Sequence, residues 1–347
     1  MTTWRLLDDG ITDAHHHFAV EEALARLLDE GHSPPTLRLR RVRRAVFVGV
    51  SQDTWAEVDV NFCRANDIKI VRRMNGGGAV YHDVGSFCYS AFFPRRTFPQ
   101  SDAELFDLFA RPVLRTCADY GLAATVSGRN DITVNGRKLY GSAQMAWYDA
   151  FVHSGTFLVD IDFDMMGQAL RPSALKFADK SVTTIQERVT SLDRELGRAV
   201  PVTEVMARFA ANFAAEFDLT LTPGDLTAEE RALAGHLCQE KYATDAWNFG
   251  EQRVYATRQA TRTPSGIVTL ALELEGDVIR SAQVSGDLLL TDGGAALVRL
   301  ATALTAVPLA EAPARVMQVA APDGVREAVV ALLRDNMGET SKSGEKR

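Results

Sequence analysis

The sequence predicts an α+β protein of two domains, the second one small. Three observations lead to it. After a Ser33-Pro34-Pro35 loop, short alternating and apolar runs read as strands set among amphipathic helices. An Asn135-Gly136 turn between DITV and RKLY marks an antiparallel hairpin. From about Glu251 strands and then helices begin again, after an already complete set of elements. The length of 347 residues fits two domains or three, and 46% hydrophobic with 24% charged residues is ordinary globular composition.

The first element is a helix over 14–30. Val20, Leu24, Leu27 and Leu28 share one face, Asp13 is placed to cap it, and Gly31 to stop it. His15, His16 and His17 fall in its first turn. Three consecutive histidines point in different directions, so the reading is a solvated helix start rather than a metal site. Leu37 and Leu39 alternate with arginines, and Ala45–Val50, 68–73, Ala79–His82 and Phe87–Phe93 read as further strands. Residues 101–120 read as a helix capped by Ser101 and kinked at Pro112. The hairpin places Lys138 on its returning strand, and a further strand pair is expected at 142–148 and 151–159. Helices follow near 163–171, 203–217 and 227–240; Val205, Phe209, Phe213 and Phe217 line the second, and Thr227 with Glu230 forms a capping box on the third. Strands at Val254–Ala260, Ile267–Leu274 and Val278–Val284 and helices near 293–305 and 323–336 complete the second domain. The polar tail from Gly338 to Arg347 is expected to be disordered.

Composition excludes several classes. Thirty-eight basic against 45 acidic residues leave a net charge of −7, against a protein that coats nucleic acid. Cys63, Cys88, Cys117 and Cys238 lie far apart with no CxxC or zinc spacing, as expected of reduced, mostly buried thiols. No apolar run reaches the roughly 18 residues of a membrane span, and MTTWRLLDDGITD resembles neither a signal nor a transit peptide. The expected compartment is the cytoplasm.

The chemistry-bearing residues concentrate between Arg72 and Thr156. Arg72 and Arg73 precede Asn75-Gly76-Gly77-Gly78-Ala79-Val80, and then His82 and Asp83. Glycines between strands let backbone N–H groups approach an anion, and the arginines suit phosphate or carboxylate. The glycines fit neither GxxxxGK[ST] nor GxGxxG, and alone they serve a bulge or tight turn equally well. Asn130 and Asp131 follow Ser127-Gly128-Arg129. Lys138 is followed by Gly141, Ser142, Ala143 and Gln144, and then by His153, Ser154, Gly155 and Thr156. Taken singly, Lys138 reads as a surface lysine, Asp131 as a turn residue and His153 as a strand histidine.

In this order the pieces resemble the lipoate–protein ligase A family of the biotin/lipoate ligase superfamily. The resemblance also rests on Gly49-Val50-Ser51-Gln52, Lys180-Ser181-Val182, Glu187–Leu192 and Ala246-Trp247-Asn248-Phe249-Gly250. It implies a biotin/lipoyl-ligase-like catalytic domain over 1–250, with mixed and antiparallel sheets flanked by helices. It also implies a small α+β accessory domain over 251–337 that shifts between activation and transfer, and a flexible tail over 338–347. The implied reaction has two steps. Lipoate attacks ATP to give lipoyl-AMP and pyrophosphate, and a lysine of an apo lipoyl carrier domain then takes the acyl group. Those carriers are E2 subunits of 2-oxoacid dehydrogenases and the glycine cleavage H protein.

By resemblance, Lys138 supplies the charge between carboxylate and α-phosphate. Arg72, Arg73, Asn75, Gly76, Gly77, Gly78, Ala79, Val80, His82, Asp83, Asn130, Asp131, Gly141, Ser142, Ala143, His153, Gly155 and Thr156 bind substrate or adenylate, and Asp131 holds Mg²⁺. Val80, Phe87 and Ala143 are candidate walls for the acyl tail. The implied small molecules are ATP, Mg²⁺ and lipoate, with no permanently bound cofactor, no nucleic acid and no membrane. A monomer is the default.

The chain departs from the family pattern at Asn75 (Ser or Thr expected), Ser154 (His), Tyr140, Met145 and Arg40 (an aromatic), which leaves the acyl preference open. An acyl-enzyme octanoyltransferase needs a cysteine nucleophile, and no cysteine lies in the loops around Gly128–Thr156. A transferase that takes preformed lipoyl-AMP stays open. Biotin ligase lacks its GRGRxG loop here, and the intact Lys138 argues against a silent binding module.

Overall fold

The structure, a computed structural model, describes residues 2–172, 175, 184–250, 252, 255–289 and 294–344. Lys180-Ser181-Val182 lies outside the described residues. The N-terminal residues, read from sequence only as a terminus, form β1 (Thr2–Thr12). α1 (Ala14–Asp29) follows, with the Asp13 carboxylate accepting from the His15 and His16 N–H groups. Then come β2 (Thr36–Val42), β3 (Ala45–Val48), the short helices α2 (Thr54–Glu57) and α3 (Val60–Ala65), β4 (Lys69–Arg72), β5 (Val80–His82) and β6 (Ser86–Pro94). α4 (Asp102–Asp119) opens on a Ser101–Glu104 capping box and runs on through Pro112. β7 (Ala124–Ser127), β8 (Asp131–Val134), β9 (Arg137–Trp147) and β10 (Ala150–Leu158) form a meander.

Asn135 and Gly136 both have positive φ, 51° and 74°, as the type I′ turn requires. The returning strand does not break before the 142–148 segment. It is one strand, β9, with a bulge at Leu139 between the Thr133–Lys138 and Ile132–Tyr140 pairs.

These strands build an eight-stranded mixed sheet, ordered β11-β1-β2-β6-β10-β9-β8-β7, once β11 (Leu219–Pro223) is added. Between β10 and β11 lie α5 (Phe163–Ala169), α6 (Ile185–Arg188), α7 (Leu192–Leu196) and α8 (Val202–Glu216). α4 and α8 cover one face of the large sheet, where Phe109, Phe209 and Phe213 pack on Trp4, Tyr89 and Phe93. α1 covers the other face, joined by α9 (Ala228–Leu237) with its Thr227–Glu230 capping box. A π-helical turn, Cys238–Tyr242, ends α9 before the 240 boundary expected, and α10 (Asp245–Asn248) follows.

β6 is buried along nearly its whole length because both faces are covered. Its odd residues Phe87, Tyr89 and Phe93 face α4 and α8, while Cys88 and Phe92 pack on the α1 side. A second, three-stranded sheet, β4-β3-β5, packs against α3 and α5.

The last part builds its own core. β12 (Thr257–Thr263), β13 (Gly266–Glu275), β14 (Val278–Gly286) and β15 (Val307–Pro308) form an antiparallel sheet, packed by α11 (Ala295–Leu304), α12 (Ala312–Met317) and α13 (Asp323–Gly344). Two expectations are corrected here. The backbone of the polar tail continues α13 as far as Gly344 rather than ending near 337. His17 is buried at 1% exposure, not solvated, because α1 turns it onto the sheet beside Arg38 and Arg40.

Candidate functional site

A cavity of about 570 Å³ opens between the large sheet and the glycine loop that joins β4 to β5. Lys138 reaches it from β9, one residue before the bulge. Its ammonium lies 2.7 Å from the Asp131 carboxylate, and both side chains stay partly open to solvent. Gly141 stands opposite Asp131 in the ladder, and a Cβ there would lie 2.6 Å from the Lys138 ammonium, so any side chain at that position pushes the amine aside. Asn130 clamps the neighbouring strand, donating from Nδ2 to the Ser142 carbonyl at 2.7 Å. Ser142, Ala143, Gly155 and Thr156 continue this wall.

Across the cavity stand Asn75, Gly76, Gly77, Gly78, Ala79 and Val80. Gly77 has φ of +95°, and Gly49 leaves room for the loop, since a Cβ on it would lie 2.1 Å from the Gly77 carbonyl oxygen. Arg73 shapes the loop from inside, donating to the carbonyls of Phe47, Gly76 and Gly78 at 3.1, 2.8 and 2.9 Å. Its burial, with Arg72 beside it, pushes its pKa down to about 10. His82 stacks on Phe47 with ring centroids 4.0 Å apart. Burial, with Arg73 and Arg40 nearby, pushes it down to about 3, so it is neutral at pH 7.

Three expected site residues lie elsewhere. Arg72 does not line the cavity. Its guanidinium donates to the carbonyls of Gly49, Gln52 and Trp247 and to the Thr54 hydroxyl at 2.6 to 3.0 Å, so it fastens chain segments together. Asp83 accepts from the Gly85 and Asp162 N–H groups at 2.8 and 3.0 Å and stabilises a turn. His153 is fully buried on the α4 side, stacked on Phe109 at 4.4 Å, with Nδ1 3.1 Å from the Gln144 amide. The physical reason is strand alternation: on β10, Ser154 and Thr156 take the positions around the cavity and His153 points the other way. Phe87 faces the core beneath α8 for the same reason, rather than the cavity.

The cavity also gathers residues that the sequence did not mark as binding residues. Glu21 and Arg40 line its inner end with His17 and Ser154. Cys88, buried on β6 outside the loops around Gly128–Thr156, lines it too. Burial raises the Cys88 pKa, and its Sγ lies 3.6 Å from His82 Nδ1. Met166, Leu170, Ile185 and Val189 form an apolar side near Arg188. Arg262, Ser265, Ile267 and Leu289 come from the C-terminal sheet and its edge. That part is tied to the loop by Gly77 N–H donating to the Leu288 carbonyl at 2.9 Å and Gly286 N–H donating to the Ser51 carbonyl at 2.8 Å. Nothing local marks Arg262, which reaches the site only through the packing of the C-terminal sheet against the glycine loop.

A partly open cavity with one half-buried lysine opposite a glycine loop can hold an anionic substrate. The family model of the lipoyl protein ligase A/B catalytic domain matches residues 13–214, and the chain belongs to that family. Octanoyltransferase LipM of Symbiobacterium thermophilum is 32% identical over 72% of this chain and 98% of its own. Lipoate-protein ligase LplJ of Bacillus subtilis is 28% identical over 81% of this chain and 83% of its own.

Among solved structures, a chain from the bipartite lipoate protein ligase of Thermoplasma acidophilum, studied with its E2 lipoyl domain, is 28% identical. It has a TM-score of 0.63 and covers 74% of this chain and all of that one. A lipoate-protein ligase A bound with ATP is 27% identical, with a TM-score of 0.64 over 72% of this chain and 99% of that one. LipL1 of P. falciparum, at 19% identity and a TM-score of 0.72, shares the fold over 95% of this chain and 99% of its own. The protein is thus an enzyme of lipoyl or octanoyl transfer. Among the described residues, no helix is long and apolar enough to cross a membrane.

Proposed function

We propose that this chain is a lipoate–protein ligase that performs both acyl activation and transfer. In the first step a lipoate carboxylate oxygen attacks the α-phosphorus of ATP, and the bond to pyrophosphate breaks. In the second, the unprotonated ε-amine of a carrier lysine attacks the acyl carbon, AMP leaves, and the amine nitrogen loses its proton. The observation that carries the reading is the Lys138 ammonium, half open and held by Asp131 across the cavity from the glycine loop. The first step brings two anions together, and a preorganised cation at their meeting point lowers that barrier. Arg73 acts through the loop it shapes, whose backbone wraps the adenylate.

Mg²⁺ would enter with the nucleotide. Asp131 has a second carboxylate oxygen to offer it, and among the described residues no group of three or more His, Cys, Asp or Glu side chains gathers into a metal site. The resemblance of this chain to a relative that binds ATP and to one studied with an E2 lipoyl domain supports ATP and an apo lipoyl carrier as its substrates.

Acyl-enzyme transfer is the second reading, favoured by the likeness to an octanoyltransferase. It needs an ionised thiol, and burial disfavours the Cys88 thiolate. In the ligase reading the C-terminal part, 251–337, is an accessory domain that moves between the two steps. Trp247 and Asn248 are bound to Arg72, through Trp247 Nε1 to the Arg72 carbonyl at 2.8 Å and Arg72 N–H to Asn248 Oδ1 at 2.9 Å. The test is incubation with ATP, Mg²⁺, lipoate and an apo carrier domain, read by the carrier's mass. A gain of one lipoyl group is expected. A gain only from preformed lipoyl-AMP makes the chain a transferase and sinks the activation step.

A further inference from the structure

Lys138 lies where its strand changes neighbours. β10 pairs with β9 only as far as Tyr140, so Arg137, Lys138 and Leu139 run on past the end of that ladder. On the other side the bulge at Leu139 interrupts the pairing with β8. The edge that β10 leaves is taken by the segment after α6. Val189 forms a parallel bridge with Lys138, and the Thr190 N–H donates to the Lys138 carbonyl at 2.8 Å. Without that segment, the backbone that aims the ammonium would have one irregular neighbour.

One carboxylate ties this segment to the hairpin. Glu195, on α7, accepts through one oxygen from Arg137 Nη2 at 2.7 Å and from the Thr190 hydroxyl. Through the other it accepts from Asn135 Nδ2 at 2.8 Å. Asn135 is the turn residue of the hairpin, Arg137 precedes Lys138, and Thr190 holds the Lys138 carbonyl. The Glu195 side chain is 2% exposed, and Thr190 is fully buried. α7 is itself fixed, because Leu192 sits in the core beneath α4 and α8 and the Asp193 N–H donates to the Val159 carbonyl at 3.0 Å. Glu195 does not line the cavity, but Arg188 and Val189, on the segment it holds, do. Burying a carboxylate costs desolvation, and a hydrophobic residue could pack there at no such cost. What the charge adds is geometry: three donors, from both sides of Lys138 and from its backbone partner, converge on one rigid point.

We propose that Glu195 is a positioning residue that acts through Lys138. It locks the Asn135–Lys138 turn against Thr190, so that the ammonium stands where carboxylate and α-phosphate meet. This rests on the reading of Lys138 as the activating cation. Glutamine at 195 keeps the size of the side chain but offers one acceptor oxygen and turns an amide nitrogen towards donors.

The test is a double-substitution cycle. Pyrophosphate release from ATP and lipoate is measured for the unchanged protein, Glu195→Gln, Lys138→Ala and the double variant. Glu195→Gln is expected to lower kcat about tenfold to thirtyfold, with KM for ATP and lipoate within about twofold. In the Lys138→Ala background the same change is expected to cost less than about twofold, because nothing is left to position. Should Glu195→Gln not fold, Thr190→Val keeps the backbone N–H and loses the hydroxyl. It is expected to lower kcat about threefold, a loss that again vanishes without Lys138. An equal loss with and without Lys138 overturns the proposal and makes Glu195 a fastener of the fold. So does an unchanged kcat in folded variants, or a loss confined to KM. Release lost in Glu195→Gln but retained in Lys138→Ala overturns both this proposal and the role of Lys138. An unchanged protein that releases no pyrophosphate but transfers from preformed lipoyl-AMP sinks the ligase reading alone. The same four proteins are then compared on that transfer, with the dependence on Lys138 again deciding.

Discussion

Arg72 and Lys138 are both cations in motifs that point to an anion, and the structure treats them in opposite ways. Arg72 is 9% exposed, and burial pushes its pKa down to about 10. Its donors are taken by carbonyls of the β3–α2 connection and of Trp247, and by Thr54. Lys138 is held by one carboxylate and remains partly exposed. A cation whose donors are all committed within the chain holds that chain in place. A cation with one exchangeable partner can turn to a ligand without leaving a buried group unsatisfied. The number of fixed partners, more than the motif, separates structure from chemistry here.

The largest expected effect breaks the comparison on the Lys138 side. Lys138→Ala should lower pyrophosphate release by about a hundredfold to a thousandfold while the unfolding midpoint stays near that of the unchanged protein. Retained release would remove Lys138 from the activation step.

Arg72→Met should do the reverse. It leaves several buried carbonyls without donors, so stability to urea should fall by about 3 kcal/mol, with activity per folded molecule reduced far less. A selective loss of activity with unchanged stability would make Arg72 a ligand-binding residue after all.

The histidines sharpen the same contrast, since one lines the cavity and another does not, yet burial neutralises both. His82 and His153 are each pushed from 6.5 down to about 3. Between those values the unfolded chain binds protons that the native chain refuses. Stability is therefore full above 6.5 and falls as pH is lowered through the window towards 3. Urea unfolding at about pH 7 and about pH 5.5 should show the loss, and His153→Phe should make the slope shallower by about one proton. Equal stability at the two pH values would show that these rings accept protons in the folded state.

The smallest effect concerns the junction between the two parts. Arg258 pairs with Asp53 at the surface, with 36% and 12% of their side chains exposed. Arg258→Ala should cost less than about 1 kcal/mol in a melting experiment. A much larger drop would show that the C-terminal part depends on that contact rather than on the backbone bonds at Gly77 and Gly286.

Much of the local structure was legible because it follows from short-range chemistry. Asp13, Ser101 and Thr227 announced helix starts, since a side-chain oxygen caps amides two or three residues away. Asn135-Gly136 announced the hairpin and put Lys138 on its second strand. β1 and β11 were missed because their residues do not alternate cleanly and gain order from pairing with each other, more than 200 residues apart. The bulge at Leu139 was equally hidden, as it depends on the partner strand.

Within the site, the ordered motifs delivered Lys138, Asp131, Asn130 and the glycines to one cavity. They could not tell that Arg72, Asp83 and His153 turn away from it. Which side of a buried strand faces the cavity depends on what covers each face.

The sequence by itself determined the long helices, the hairpin that carries the lysine and the family to which the chain belongs, because capping, turn conformation and motif order are written in neighbouring residues. Only the tertiary structure decided that Arg40 and Glu21 floor the cavity, that Arg262 reaches it from the C-terminal sheet and that Arg72 is a fastener. Those assignments depend on burial and on partners brought together from distant segments, and no spacing along the chain encodes them.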